Sequence, residues 1–251
     1  MARELQNKTI VITGGAVGIG YAIADSFLEK NPKIVIILDI NEKLGAEAIE
    51  RLAAKYGENK VAFYKCDVTT DLEAIFNEII KTFSTVDVLV NNAGICNDIY
   101  VRKTIEINVI AFMEWSLKFW EHMRKDKSGN GGTIINIASI YGFRVDPYVP
   151  VYHASKFAVM GFTKSLGHVK NFTKYGVRVV AICPGFTSDT NLGNDSMTFI
   201  PELMEEVYVH VKTYLWQKPE AVGEAAVVVF ENADSGTAWL SEGGQPATVI
   251  Q

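Results

Sequence analysis

Apolar residues recur along this chain in two alternating rhythms. Short β-branched runs read as buried strands: Lys8–Thr13 (KTIVIT), Lys33–Leu38 (KIVIIL), Lys60–Cys66, Val86–Val90, Thr133–Ala138 (TIINIA) and Val177–Ile182 (VRVVAI). Between and after them, Tyr21–Glu29, Val101–Arg124, Ser155–Lys170 and Glu202–Tyr214 carry helical patterns. Strands alternating with helices predict a single α/β domain built on a parallel sheet. At 251 residues and 48% hydrophobic, the chain has the material for one sizeable core. It contains no internal repeat or low-complexity tract; the nearest thing to a linker is the polar loop Asp126–Gly132 (DKSGNGG).

Directly after the first strand come Thr13-Gly14-Gly15-Ala16-Val17-Gly18-Ile19-Gly20, and then a helix. Strand, glycine loop and helix in that order let the backbone approach a pyrophosphate, whose charge the free amides of the helix N-terminus attract. The spacing Gly14, Gly18, Gly20 departs from the commoner Gly-x-Gly-x-x-Gly, and a purely structural turn also fits it. Asp39 ends the second strand, where a carboxylate receives the ribose hydroxyls of NAD and repels the extra phosphate of NADP. A strand-end cap is its other reading, and Lys43 is the one nearby feature that favours NADPH.

Tyr152 and Lys156 stand four residues apart on a helix, so their side chains share a face. A phenol has a free pKa of about 10 and works as an acid or base near neutrality only if something stabilises its anion. A neighbouring ammonium can do so. A surface helix carrying an unrelated tyrosine and lysine is the alternative.

Three further motifs sit at strand ends in the same order: Asn91-Asn92-Ala93-Gly94, Ser139, and Cys183-Pro184-Gly185. With the glycine loop and the Tyr-Lys pair, the chain resembles the short-chain dehydrogenase/reductase family over nearly its whole length. Within it, Pro150–Lys156 (PVYHASK), Cys183-Pro184-Gly185-Phe186 and the tail Gly236–Leu240 most resemble the 15-hydroxyprostaglandin dehydrogenases and insect alcohol dehydrogenases. The resemblance implies a Rossmann-type doubly wound parallel sheet in three α/β/α layers. It implies an NAD-dependent oxidoreductase interconverting a secondary alcohol and a ketone. Tyr152 would be the acid/base, Lys156 its electrostatic partner and ribose ligand, Ser139 the donor to the substrate oxygen, and Asn108 the holder of a water leading to Lys156.

Gly14, Gly18, Ile19 and Gly20 would cradle the phosphates, and Asp39 the ribose. Asp67 and Val68 would meet the adenine, Asn91, Ala93 and Gly94 the adenosine side, and Pro184, Gly185 and Thr187 the nicotinamide. Read without the family, Ser139 is a turn serine, Asn108 a helix polar residue and Asp67 a helix N-cap. Two positions depart from the family pattern. Asp189 stands where relatives place a threonine against the nicotinamide amide, with Thr187 a possible substitute. Val149 stands where prostaglandin-type enzymes tend to carry glutamine.

The expected pocket walls are Tyr141, Phe143, Val145, Tyr148, Phe186, Met197, Phe199 and Met204, a set suited to a lipophilic alcohol or ketone. Residues 191–201 read as a lid before the helix Glu202–Tyr214, within a lid region of about 187–215. A formal charge of −5 with scattered basic residues argues against nucleic-acid binding. Cys66, Cys96 and Cys183 have neither metal-site nor disulfide spacing and predict free thiols and no metal. No stretch is long enough to span a bilayer and the first strand starts by Lys8, which predicts a cytoplasmic protein. Phe112, Trp115, Phe119 and Trp120, spread round one helix, together with the Ser155–Lys170 helix predict a homodimer and leave a tetramer open. Burial within one chain is the competing expectation for those rings.

Overall fold

The computed structural model describes residues 3–190, 192, 198 and 200–250. Eight strands form one sheet: β1 (Thr9–Thr13), β2 (Ile34–Asp39), β3 (Val61–Lys65), β4 (Val88–Asn91), β5 (Gly132–Ile137), β6 (Val177–Pro184), β7 (Ala238–Ser241) and β8 (Thr248–Ile250). Their order is β3-β2-β1-β4-β5-β6-β7-β8, parallel throughout except for the antiparallel β8. The order reverses between β1 and β4, and a crevice at such a switch point, outside the carboxyl ends of the strands, is where open α/β sheets bind ligands. Thr13, Asp39, Asn91, Ile137 and Pro184 are the last residues of their strands and so line that edge.

Alternation along the strands divides the core. Ile10, Ile12, Val35, Ile37, Val88, Val90, Ile135, Ile137, Val180 and Ile182 face α1 (Gly18–Leu28), α2 (Glu42–Tyr56) and α9 (Pro219–Asn232). Val11, Ile36, Leu38, Leu89, Ile134, Val177 and Val179 face α3 (Leu72–Phe83) and α5 (Phe112–Met123) on the other side. The expected three-layer, doubly wound single domain is what forms.

Several boundaries differ from the sequence expectation. The helix expected over Val101–Arg124 is α4 (Val101–Ile105), a π-helical stretch Glu106–Ala111, and α5. A wider turn of this kind inserts one residue into the ladder and re-aims the side chains beyond it; Asn108 sits inside it. The helix expected from Ser155 begins earlier, as α6 (Pro150–Leu166), because proline is well suited to a helix's first turn. It stops before Gly167, and α7 (Val169–Tyr175) follows. α8 spans Met204–Val211, inside the expected Glu202–Tyr214. Strand β8 carries no β-branched run long enough to announce itself and owes its pairing to β7.

The aromatic ring of residues on α5 divides as burial within the chain requires. Phe112, Trp115 and Phe119 are buried, and Trp120 packs edge-on against Tyr175. Ile110, Leu117 and Phe157 are the large apolar side chains left exposed on this face. No helix among the described residues is long and apolar enough to cross a membrane.

Candidate functional site

The glycine loop is shaped by backbone requirements. Gly14 and Gly18 adopt φ of 62° and 57°, a region that L side chains avoid. At Gly20 an added Cβ would lie 2.3 Å from the Gly14 carbonyl oxygen and 2.6 Å from Asn92 Nδ2. Asn92 is why the gap is so tight. Its Nδ2 donates to the Thr13 and Gly14 carbonyls at 3.1 and 2.8 Å, while the Thr13 hydroxyl accepts from the Asn92 and Ala93 amides at 3.0 and 3.1 Å. The loop after β1 is thus stitched to the loop after β4. Thr13 and Asn92 stood out in the sequence only as members of their motifs, with no role of their own. Ile19 faces the core beside α9, anchoring the first turn of α1.

Asp39 is half-buried at the end of β2, and its carboxylate accepts the Ala16 amide at 3.1 Å and the Asn41 amide at 3.0 Å. It is therefore fixed against the glycine loop. Lys43 points to solvent, its side chain 87% exposed and 3.9 Å from Glu47. Asp67 closes a turn, its Oδ1 accepting from the amide and hydroxyl of Thr69 at 2.9 and 2.7 Å. The Val68 carbonyl is held by Trp115 Nε1 at 2.9 Å. Val68, Asn91 and Ala93 line a narrow cleft with Thr13 and Ile107. The Asn91 amide nitrogen spends both hydrogens on Ser116 and Asn136, at 2.8 and 3.0 Å. What it adds to the cleft is therefore not its side-chain nitrogen.

On the far side of the groove the Gly185 amide is bound to the Ser241 carbonyl at 2.8 Å, which fixes the Pro184-Gly185 turn beside β7. Thr187 turns its hydroxyl back onto the Gly185 carbonyl at 3.0 Å. Asp189 takes a left-handed conformation (φ 53°), and Thr190 beyond it comes against Gly18, whose added Cβ would stand 3.3 Å from Thr190 Cγ2. Thr190, missed in the sequence, is the threonine that reaches the glycine loop.

Asn108, Ser139, Tyr152 and Lys156 are all buried and meet where the loops after β4 and β5 come up against α6. Asn108 is locked on both sides: its Oδ1 accepts the Ile95 amide at 2.9 Å, and its Nδ2 donates to the Ile95 carbonyl at 2.8 Å and to Ser155 Oγ at 3.1 Å. Gly94 is small because it must be; an added Cβ would lie 3.2 Å from Asn108 Oδ1 and 3.8 Å from Lys156 Nζ. Lys156 Nζ donates to the Ile137 carbonyl at 2.9 Å and stands 5.5 Å from the centre of the Tyr152 ring. Ser139 Oγ accepts the Tyr141 amide at 3.1 Å.

Burial dominates the electrostatics. It raises the Tyr152 phenol above its usual pKa, the Cys96 thiol adding to this and Ser139 opposing it. It lowers Lys156 to about 8, against the opposing effect of Cys96 and Cys183. The sequence reading had the ammonium drawing the phenol towards neutrality. In the chain alone, desolvation wins.

The pocket beside Tyr152 is aromatic. Tyr141 meets Tyr152 edge-on at 6.3 Å, Phe186 at 5.9 Å and Tyr214 at 6.4 Å, and Phe186 packs against Tyr214 and Trp216 at 4.6 and 5.3 Å. Phe143 and Tyr148 join this cluster. Val145 does not: at 77% exposed it faces solvent, because the turn before α6 points it outward. Met204 is only half-buried, whereas Met197 and Phe199 lie outside the described residues. Sequence reading missed the polar group behind these rings. The buried Asp146 carboxylate accepts the Tyr148 amide at 2.9 Å and lies 3.7 Å from His210 Nε2.

Residues 8–199 match the short chain dehydrogenase family. Alcohol dehydrogenase 1 of Ceratitis cosyra is 36% identical over 248 residues, covering 96% of this chain and 94% of its own. The 15-hydroxyprostaglandin dehydrogenase [NAD(+)] of Homo sapiens is 31% identical over 235 residues, covering 91% and 88%. Among solved structures, a 3-ketoacyl-(acyl-carrier-protein) reductase from Brucella melitensis complexed with NADH superposes with a TM-score of 0.79 at 25% identity, over 96% of this chain and 99% of its own. The chain belongs to the short-chain dehydrogenase family of oxidoreductases.

Proposed function

We propose that this protein is an NAD-dependent dehydrogenase interconverting a lipophilic secondary alcohol and its ketone. The convergence of Asn108, Ser139, Tyr152 and Lys156 at one buried point beside the glycine loop supports this reading most strongly. The loop fits a dinucleotide: Gly14 and Gly18 hold left-handed conformations, Gly20 lets the first turn of α1 press against the Gly14 carbonyl, and a carboxylate stands fixed on the Ala16 amide. Gly14, Gly18, Ile19 and Gly20 would hold the pyrophosphate. Asp39 would take the ribose hydroxyls on its remaining lone pairs, and its charge disfavours a ribose phosphate. Asp67, Val68, Asn91, Ala93 and Gly94 would flank the adenosine; Pro184, Gly185 and Thr187 the nicotinamide. The nicotinamide, when bound, supplies the hydride chemistry.

The protein's own residues orient the alcohol and move its proton. The Ser139 hydroxyl donates to the substrate oxygen as charge develops there. Tyr152, as phenolate, accepts the alcohol's hydroxyl proton, or as phenol returns it to a ketone. Lys156, held by the Ile137 carbonyl, would bind the cofactor ribose and stabilise the phenolate, and Asn108 would hold a water connecting the lysine to solvent. Because burial favours the protonated phenol, alcohol oxidation by this site rises as pH increases. The aromatic wall of Tyr141, Phe143, Tyr148, Phe186 and Tyr214 favours an apolar substrate. Of the expected lid over residues 187–215, residues 191, 193–197 and 199 lie outside the described residues. Exposed Ile110, Leu117 and Phe157 favour a second copy of the chain as partner. Three buried free cysteines fit a reducing, cytoplasmic setting.

The test is NADH formation from NAD with a panel running from isopropanol and cyclohexanol to hydroxylated fatty acids, prostaglandins, terpenoid alcohols and steroids, repeated with NADP. Turnover that strengthens with apolar bulk and prefers NAD is expected. A preference for NADP, or tight NADH binding with no turnover of any alcohol or ketone, sinks the proposal.

A further inference from the structure

Helix α6 carries Tyr152 and Lys156, yet it begins without a local cap: the side chain of Val149, the residue before its first turn, cannot accept a hydrogen bond. A helix leaves its first amides without intrahelical partners, and buried ones must find partners elsewhere. Here the accounting closes. Pro150 has no N–H to satisfy, and the His153 amide reaches the Val149 carbonyl at 2.9 Å. The two amides between them, Val151 and Tyr152, both go to Asp98, at 2.7 Å onto Oδ2 and 3.0 Å onto Oδ1. Asp98 is 1% exposed and comes from the loop after β4, more than fifty positions away in the chain.

That loop also fixes the rest of the group. Ile95 holds both ends of the Asn108 amide. Asn97 Oδ1 accepts the Ile99 and Tyr100 amides at 3.0 and 3.2 Å, starting α4, which leads into the π-helical stretch bearing Asn108. The peptide groups of Tyr152 are thus held on both sides, its amide by Asp98 and its carbonyl by the Ser155 hydroxyl at 2.7 Å, while that hydroxyl in turn accepts from Asn108. We propose that Asp98 is a positioning residue for the reaction: its carboxylate sets the place of Tyr152 by gripping the tyrosine's own amide, and links the Tyr152 helix to the Asn108 loop. The role rests on Tyr152 being the acid/base. Asp98 is 1% exposed, with both carboxylate oxygens on main-chain amides, and acts through Tyr152. Burial pushes the carboxyl's pKa above its usual range, opposed only in part by these two amides and by His153 nearby.

The test has an arm that needs no substrate. First-turn helix amides ordinarily exchange freely, so hydrogen exchange on the full-length protein bound to NADH should show the Val151 and Tyr152 amides protected. In Asp98→Asn and Asp98→Ala these two amides should exchange at least ~10-fold faster with NADH affinity nearly unchanged. In the second arm, single-turnover hydride transfer to NAD from the best alcohol of the panel should fall about 30-fold in Asp98→Asn, as expected for a sub-ångström misplacement of the reacting group. The KM for that alcohol should stay within about threefold, and Asp98→Ala should be slower still. Free exchange of Val151 and Tyr152 in the native protein overturns the proposal. So does wild-type hydride transfer in Asp98→Asn, or a joint collapse of NADH binding, KM and rate, which marks a purely structural residue. Asp98→Asn keeps the side-chain volume and carries the test should Asp98→Ala not fold. A native protein that turns over no alcohol removes the functional reading, while the exchange arm still decides whether Asp98 holds Tyr152.

Discussion

The two sides of the groove are built by different means. On the β1–β4 side the fit is a matter of backbone: glycines in left-handed conformations, a Cβ-sized gap at Gly20, and Thr13 and Asn92 tying two loops together through main-chain bonds. On the side after β6 the fit is a matter of side chains. Rings of Tyr141, Phe186, Tyr214 and Trp216 lean on one another, and Tyr208, Val209, Leu215 and Trp216 remain exposed nearby. Backbone recognition tolerates little substitution and suits a ligand that never changes. Ring packing can be re-cut residue by residue, which suits a substrate that differs between relatives.

The comparison breaks most sharply at Gly20. Gly20→Val forces a side chain into the Gly14 carbonyl and Asn92, and calorimetric titration with NADH should show affinity falling about 100-fold, since overpacking costs about 1–3 kcal/mol before the ligand is considered. If NADH binds this variant normally, the backbone account of that side is wrong.

Lys156 offers a smaller effect with an informative sign. Its pKa is depressed by burial from 10.5 to about 8, so between these values the unfolded chain binds more protons than the folded one. Stability from this group therefore rises with pH across that window, and below about pH 8 the buried ammonium costs stability. Lys156→Met should be more stable than the wild type at neutral pH by about 1–3 kcal/mol while losing turnover, with the gap narrowing towards alkaline pH. Urea unfolding at several pH values reads it. A gap that widens with pH contradicts the assignment.

The smallest effect belongs to the ring side. Phe186→Ala removes a ring that packs on Tyr141, Tyr214 and Trp216. KM for a bulky apolar alcohol should rise about tenfold while NADH affinity stays put. Equal changes in both would mean the two sides are not separable.

The same contrast explains what the sequence discloses. Glycine spacing and β-branched runs mark backbone geometry directly, so the parallel sheet, the glycine loop and the Tyr-Lys pair were legible, whereas the helix start at Pro150 was not. Side-chain partnerships across the fold were not. Asp98 and Thr190 owe their places to loops that meet only once the sheet has formed, and nothing local to them signals it. Val145 looked like a pocket wall from its apolarity and faces solvent, and the π-helical stretch around Asn108 has no compositional mark. Spacing likewise reveals that Lys156 is a neighbour of Tyr152 but not how deeply the phenol is buried.

The most direct test of the account is Tyr152→Phe, which deletes one hydroxyl and leaves the ring packed against Tyr141. NADH affinity and alcohol-dependent NADH formation should be measured side by side with the wild type. The account predicts unchanged NADH binding and turnover reduced about 1,000-fold, the scale of a lost general acid/base. Turnover within a few-fold of wild type would contradict it, since the proton would then be leaving the alcohol by another route.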